Sequence, residues 1–288
     1  MPKSQVEQSG AVLSDVPIAK VSKSEGIFNG IAMGALAVYV VFIVVIIGSV
    51  VVYTSPKLLL KGIIAPATLF SIKLSLWTSV LTTTLSILMS IPAGYVLSRY
   101  NFRGKAIVDV ILDLPITLPP LIIGMCLLVF FSTRPGHFIQ DHIIKFVFSV
   151  PGIVLAQFAI SASFALYALR EAYDAVDPRY EDAARTLGCN KVQAFFKVTL
   201  PLIKPGIISG AVMTWTRAVG EFVPILLLCG ASQGKTDILP VAIFLQFEQG
   251  DIEMAVSLTI IFLVLSAIYL TMFKKLGLKA GGLKKAEK

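Results

Sequence analysis

Six stretches of this chain are apolar enough and long enough to cross a lipid bilayer, and nothing else in the sequence restricts the fold as strongly. A spanning helix needs about 20 apolar residues. Such stretches fall at about 31–53, 74–97, 106–131, 151–169, 206–228 and 254–273. In lipid each can satisfy its own backbone hydrogen bonds as a helix, and the alternating pattern of a membrane barrel is absent. Composition agrees: of 288 residues, 56% are hydrophobic and 15% charged. Soluble domains carry about 25% charged residues, so this chain lacks the polar surface to cover itself in water. The sequence therefore predicts an all-α, polytopic membrane protein with about six transmembrane helices. The first stretch is too long for a signal-peptide core and lacks a cleavage site, so it reads as a retained span.

The organisation follows from charge. The net charge is +8, and the bases sit in short segments between spans, which favours a membrane over nucleic acid. With the N-terminus cytoplasmic, 18 of the 25 Lys and Arg fall inside and six outside, with Arg217 within a helix. Excess Lys and Arg mark the cytoplasmic side, so both termini are expected there. The reading is a cytoplasmic tail at 1–29, a membrane domain at 30–273 and a basic cytoplasmic tail at 274–288. A shorter amphipathic piece at 56–68 is expected on the outer surface. Cys126, Cys189 and Cys229 are far apart, and His137 and His142 share a loop without a cysteine; neither pattern reads as a metal site or disulfide framework.

The most informative segment is polar and lies between the fourth and fifth spans, at 177–205. Asp177 can cap a helix, Pro178 suits its start and Gly188 a left-handed stop. Asn190 with Gln193 three residues on forms a capping-box pattern, and Pro201 and Pro205 end the second helix. Two short helices hinged at Gly188 are expected along the inner surface. Ala183 and Ala184 make the first narrow; Leu187, Val192, Phe195 and Phe196 add apolar contact. The residues alone allow a loop resting on its own bundle or a docking element for a soluble protein.

Asp182-Ala183-Ala184, then Gly188, then Val198-Thr199-Leu200-Pro201 resembles the EAA loop of ABC-importer permeases, E-A-A-x3-G-x9-I-x-L-P, without a gap. Asp182 stands for Glu and Val198 for Ile. The run Asp113-Leu114-Pro115-Ile116-Thr117-Leu118-Pro119-Pro120 is similar to the third-helix segment of molybdate, tungstate and sulfate permeases. So are Arg217-Ala218-Val219-Gly220-Glu221-Phe222 and Leu239-Pro240-Val241-Ala242-Ile243 with Gly250-Asp251 for later segments. The resemblance covers roughly 70–273 and is nearest to the molybdate and tungstate permeases. It implies a type I ABC-importer permease fold and a second permease copy. It also implies two cytoplasmic ATPase subunits that bind ATP and Mg, and an extracellular or periplasmic oxyanion-binding protein. No cofactor would belong to this chain, which would be a transport subunit and not an enzyme. Sulfate or thiosulfate is the alternative cargo. A stand-alone secondary transporter would need inverted repeats and a mid-membrane ion site.

Under that resemblance, ATPase coupling falls to Glu181, Asp182, Ala183, Ala184, Leu187, Gly188, Leu200 and Pro201. The pathway or gate candidates are Asp113, Pro119, Pro120, Arg217 and Glu221. Arg217 and Glu221 lie four residues apart on one helix face and must pair, face water or meet another helix, with Asp109 and Asp113 as possible partners. They read either as a packing ion pair or, at Arg217, as an oxyanion contact, since guanidinium matches oxyanion geometry. Pro115, Pro119 and Pro120 can kink the third span or gate it. Ser71, Ser75, Ser79, Thr82, Ser86 and Ser90 read as close packing or as a polar lining. Gly230–Thr236 (GASQGKT) misses a phosphate-binding loop by one residue between its glycines and is read as a turn.

Overall fold

The computed structural model describes the backbone of residues 23–281 and side chains within 28–55, 59–60 and 62–272. Parts of both expected tails, 1–22 and 282–288, lie outside the described residues. The chain divides into two compact units, Met1–Tyr53 and Thr54–Lys288.

The described part of the first unit is one helix, α1 (Lys23–Tyr53), apolar all the way round from Phe28. It starts earlier than the sequence reading, which left 1–29 as a tail. Ser24 and Glu25 suit a first helical turn, and no proline intervenes before Pro56.

The second unit runs α2 (Pro56–Ile64), α3 (Pro66–Arg99), α4 (Lys105–Thr117), α5 (Pro120–Phe131), α6 (Arg134–His142) and α7 (Val150–Asp174). It continues with α8 (Arg179–Thr186), α9 (Lys191–Leu202), α10 (Lys204–Val219), α11 (Val223–Cys229), α12 (Leu239–Glu248) and α13 (Ile252–Gly281). Among the described residues, four helices can span a membrane, and two bent pairs bring the number to six. The amphipathic piece is α2; it stops at Ile64 because Pro66 forces Ala65 into extended backbone. The last span extends past 273 as a helix to Gly281, since no proline or turn motif stops it before Gly281 and Gly282.

At the centre α3, α7 and α10 pack on one another. Small residues bring them close. Ser71, Ser75, Ser79, Thr82, Ser86 and Ser90 are all buried in α3. Several of its hydroxyls turn back on their own helix: Thr78 donates to the Leu74 carbonyl at 2.9 Å and Thr83 to Ser79 at 2.7 Å. Where α7 crosses α10, Gly206 faces Ala172 and Gly210 faces Ala168 and Leu169. Glycines four apart opposite alanines four apart let two membrane helices approach at backbone distance.

The third and fifth apolar stretches are not single helices. The third breaks between α4 and α5, which meet at 111°. Of the three prolines, Pro115 stays inside α4, and the break falls at Leu118, which is extended before Pro119 and Pro120. Residues 119 and 120 have no N–H, so the carbonyls of Pro115 and Ile116 lose their helical donors. The fifth stretch stops at Val219 and restarts at Val223. Gly220 and Glu221 both turn their N–H groups onto the Ala218 carbonyl, which ends the helix. The half-helices after the two breaks, α5 and α11, pack on each other; a Cβ at Gly124 would lie 2.8 Å from the Pro224 Cα.

Candidate coupling surface and pathway

The 177–205 segment begins as its residues dictate. Asp177 accepts the Arg179 N–H at 2.9 Å and starts α8. Gly188 ends it in the left-handed region at φ 92°. The Gly188 N–H reaches the Arg185 carbonyl at 3.0 Å and the Cys189 N–H reaches Ala184 at 3.1 Å, the paired bonds of a Schellman stop. Asn190 and Gln193 then cap α9 reciprocally, at 2.8 and 3.0 Å. A π-turn at Phe195–Thr199 widens α9 before Pro201. The segment bends by 65° between α9 and α10.

The residues assigned to coupling divide by direction. Leu187 is 86% exposed, Asp182, Ala183, Gly188 and Pro201 are exposed as well, and Tyr180, Val192 and Phe196 add apolar surface. Ala184 is buried, and Leu200 packs on the core of Leu169, Tyr173 and Ile203. Glu181 also turns inward. Its two oxygens accept from Tyr95 Oη at 2.8 Å and Arg99 Nε at 3.3 Å, both on α3. The expected hinge at Gly188 is a bonded turn between two helices that are each held to α3, α9 through Phe195 edge-on to Tyr95 at 5.1 Å.

Among the residues expected to line a pathway or gate, Arg217 and Glu221 form an ion pair of 2.5 Å, Glu221 almost wholly buried and Arg217 partly exposed. The possible partners on α4 go elsewhere. Asp109 takes a forked contact from Arg170 of α7, at 2.9 and 3.4 Å, and Asp113 is exposed and makes no ion pair with Arg217. Packing decides this: α4 packs on α7, so Asp109 meets the base that α7 presents. Pro119 is exposed and Pro120 half-buried at the α4–α5 break. Gly230–Thr236 is a turn, with Thr236 buried and donating to the Cys229 carbonyl at 3.3 Å.

The sequence reading missed Gln157. It is fully buried on α7, accepts from Thr82 Oγ1 on α3 at 2.9 Å, and donates to the Ala218 carbonyl on α10 at 3.0 Å. One side chain thus ties the three central helices beside the break that carries Arg217 and Glu221. A glutamine inside an apolar run was the available signal. Gln157→Leu removes the acceptor of a buried hydroxyl and one donor, and should destabilise the folded chain by about 1–3 kcal/mol. Thermal unfolding in detergent checks this; an unchanged midpoint would mean that Gln157 ties nothing. Asp237 was missed too. It is buried, with one oxygen 3.3 Å from the Ser71 hydroxyl, beside Ser75, which caps α12 by accepting the Leu239 N–H at 2.7 Å.

Residues 86–279 match the family model described as binding-protein-dependent transport system inner membrane component. The chain is 40% identical over 172 residues to the molybdate/tungstate transport system permease protein WtpB of Pyrococcus abyssi, covering 60% of this chain and 65% of that protein. It is 38% identical over 179 residues to the molybdenum transport system permease protein ModB of Escherichia coli K12, 58% of this chain and 78% of that one. Against the sulfate transport system permease protein CysT of Salmonella typhimurium the identity is 31% over 179 residues, 62% of this chain and 65% of the relative. Among solved structures, a bacterial ABC transporter that imports the acidic polysaccharide alginate superposes with a TM-score of 0.73 at 17% identity, over 89% of this chain and 96% of that chain.

Proposed function

We propose a function from one premise: this chain belongs to the binding-protein-dependent transport system inner membrane components, and its fold is that of ABC-importer permeases. On it the chain forms the membrane pathway of an ATP-driven importer of a tetrahedral oxyanion, molybdate or tungstate. The observation that carries this is the exposed surface of α8 and α9 around Leu187, set by the EAA spacing and left uncovered by the described residues. An exposed apolar patch with a charged rim fits a protein partner, here one cytoplasmic ATPase per permease. Two permease copies enclose the pathway, and an external binding protein delivers the anion. Both termini are cytoplasmic, as the distribution of Lys and Arg supports. Molybdate and tungstate rank above sulfate because the relatives named for them are more alike, at 40% and 38% identity against 31%.

Affinity purification in mild detergent, with identification of the chains that come with it, tests the class. A co-purifying ATPase supports the importer; a chain that transports alone would point to a secondary carrier. Binding of molybdate, tungstate and sulfate to the external partner then settles the cargo. A tag that places Asp182 outside the cell would end the coupling assignment.

Arg217 is the pathway residue suited to an oxyanion. Arg217→Gln strands the buried Glu221 carboxylate, and breaking a buried pair costs about 3–5 kcal/mol. The single variant should reach the membrane poorly. Arg217→Gln with Glu221→Gln should restore membrane levels yet leave uptake impaired, with a raised half-saturating anion concentration. Normal uptake by the double variant would reduce the pair to packing.

A further inference from the structure

We propose that Glu181 is a positioning residue, an internal strut that carries the movement of α8 to α3, and not a contact to the ATPase. The inference rests on the importer reading and refines its coupling surface. Both Glu181 oxygens are engaged within the chain, by Tyr95 and Arg99, one helical turn apart on α3. The Glu181 and Arg99 side chains are only 13% and 11% exposed. A partner seated on Leu187 could reach the carboxylate only by displacing α3.

The attachment resists sliding as well as separation. The two oxygens are held at two points along α3, which fixes the first turn of α8 lengthwise. Arg99 also donates to the Val176 carbonyl at 2.7 Å, pinning the link from α7. Tyr95 holds the rest. Its ring meets Phe195 of α9 at 5.1 Å and Tyr173 of α7 at 5.7 Å, both edge-on. Tyr173 is buried and donates to the Ile91 carbonyl of α3 at 2.9 Å. Charge-assisted hydrogen bonds are about twice as strong as neutral ones, and shielding from water preserves them. A push on the exposed face of α8 therefore reaches α3 through Glu181 and Tyr95, and α8, α9 and the end of α3 move as one body.

The test uses the complete transporter in lipid, with its ATPase and external binding protein. Glu181→Ala should keep the ATPase bound and hydrolysing, while anions imported per ATP fall at least about tenfold, the size of either of the two charge-assisted bonds lost. Glu181→Gln, whose amide oxygen still accepts, should recover most of that ratio. Spin labels at Val96→Cys and Arg179→Cys, with the native cysteines replaced, read the strut directly. In the parent chain their separation should be narrow and the same with and without ATP; with Glu181→Ala it should broaden. If that variant fails to fold, Tyr95→Phe removes one bond only and should broaden it in part. An unchanged ratio and an unchanged distance width, or loss of the ATPase with Glu181→Ala, overturns the proposal. A parent chain that carries no ATPase would remove the importer reading instead, and the label distances on the chain alone would still decide whether Glu181 ties α8 to α3.

Discussion

Gly188→Trp should abolish coupled anion uptake while the chain still folds and inserts. Gly188 closes α8 in a left-handed turn at φ 92°, which side chains other than glycine adopt at a cost of roughly 1–2 kcal/mol. A Cβ built there meets nothing within 4 Å, so the fold has room for a larger residue. An indole would stand out from the same exposed surface as Leu187 and keep a partner away. Gly188→Ala separates the two effects, because it carries the same backbone strain without the bulk. It should lower stability slightly and retain most uptake, whereas tryptophan should reduce it to background. Membrane fractionation, ATPase co-purification and uptake with both variants decide the matter. Full uptake by the tryptophan variant would remove the docking surface.

Gly206→Ala should be among the most damaging single methyl groups in the central bundle. Its Cβ would lie 2.2 Å from the Ala172 Cβ, where α7 and α10 touch. Gly210 next along α10 is also close, where a Cβ would lie 3.2 Å from the Ala168 Cβ, so the helices have little room to part. Overpacking of this kind costs about 1–3 kcal/mol or more. Ala172→Gly should offset it by moving the methyl group from one helix to the other. The single variant should give little folded protein by fluorescence-detected size exclusion, and the double variant should approach the parent. Equal yields of parent and single variant would mean that the crossing is looser than the structure has it.

The parts of this fold that local chemistry decides were legible in the residues. The apolar lengths marked the spans. Asp177, Gly188, Asn190 and Gln193 marked the two short helices, because caps and left-handed stops depend on neighbours in sequence. The G-x-x-x-G spacing at 206–210 was local too but went unread, since it shows its purpose only once Ala168 and Ala172 face it. What could not be read depends on distant partners. Three prolines announced a bend in the third span, but α4 tolerates Pro115 and breaks at Leu118. Glu181 and Asp182 are adjacent acids in one motif, and only the position of Tyr95 and Arg99 on α3 turns one inward and leaves the other in solvent. Gln157 carried no motif, because its partners Thr82 and Ala218 are on two other helices. Asp109 was a candidate for Arg217 until packing set it opposite Arg170.

An intact helix resists bending because each turn is fastened to the next. At Leu118 and at Gly220 that fastening is already undone, by two residues without an N–H and by two amides drawn to one carbonyl. Both breaks fall in the middle of an apolar run, so the stiff rods on either side are joined there by backbone that no helical bond fastens. On the importer function proposed above, such joints would let a passage narrow at one mouth and widen at the other while its remaining rods stay straight.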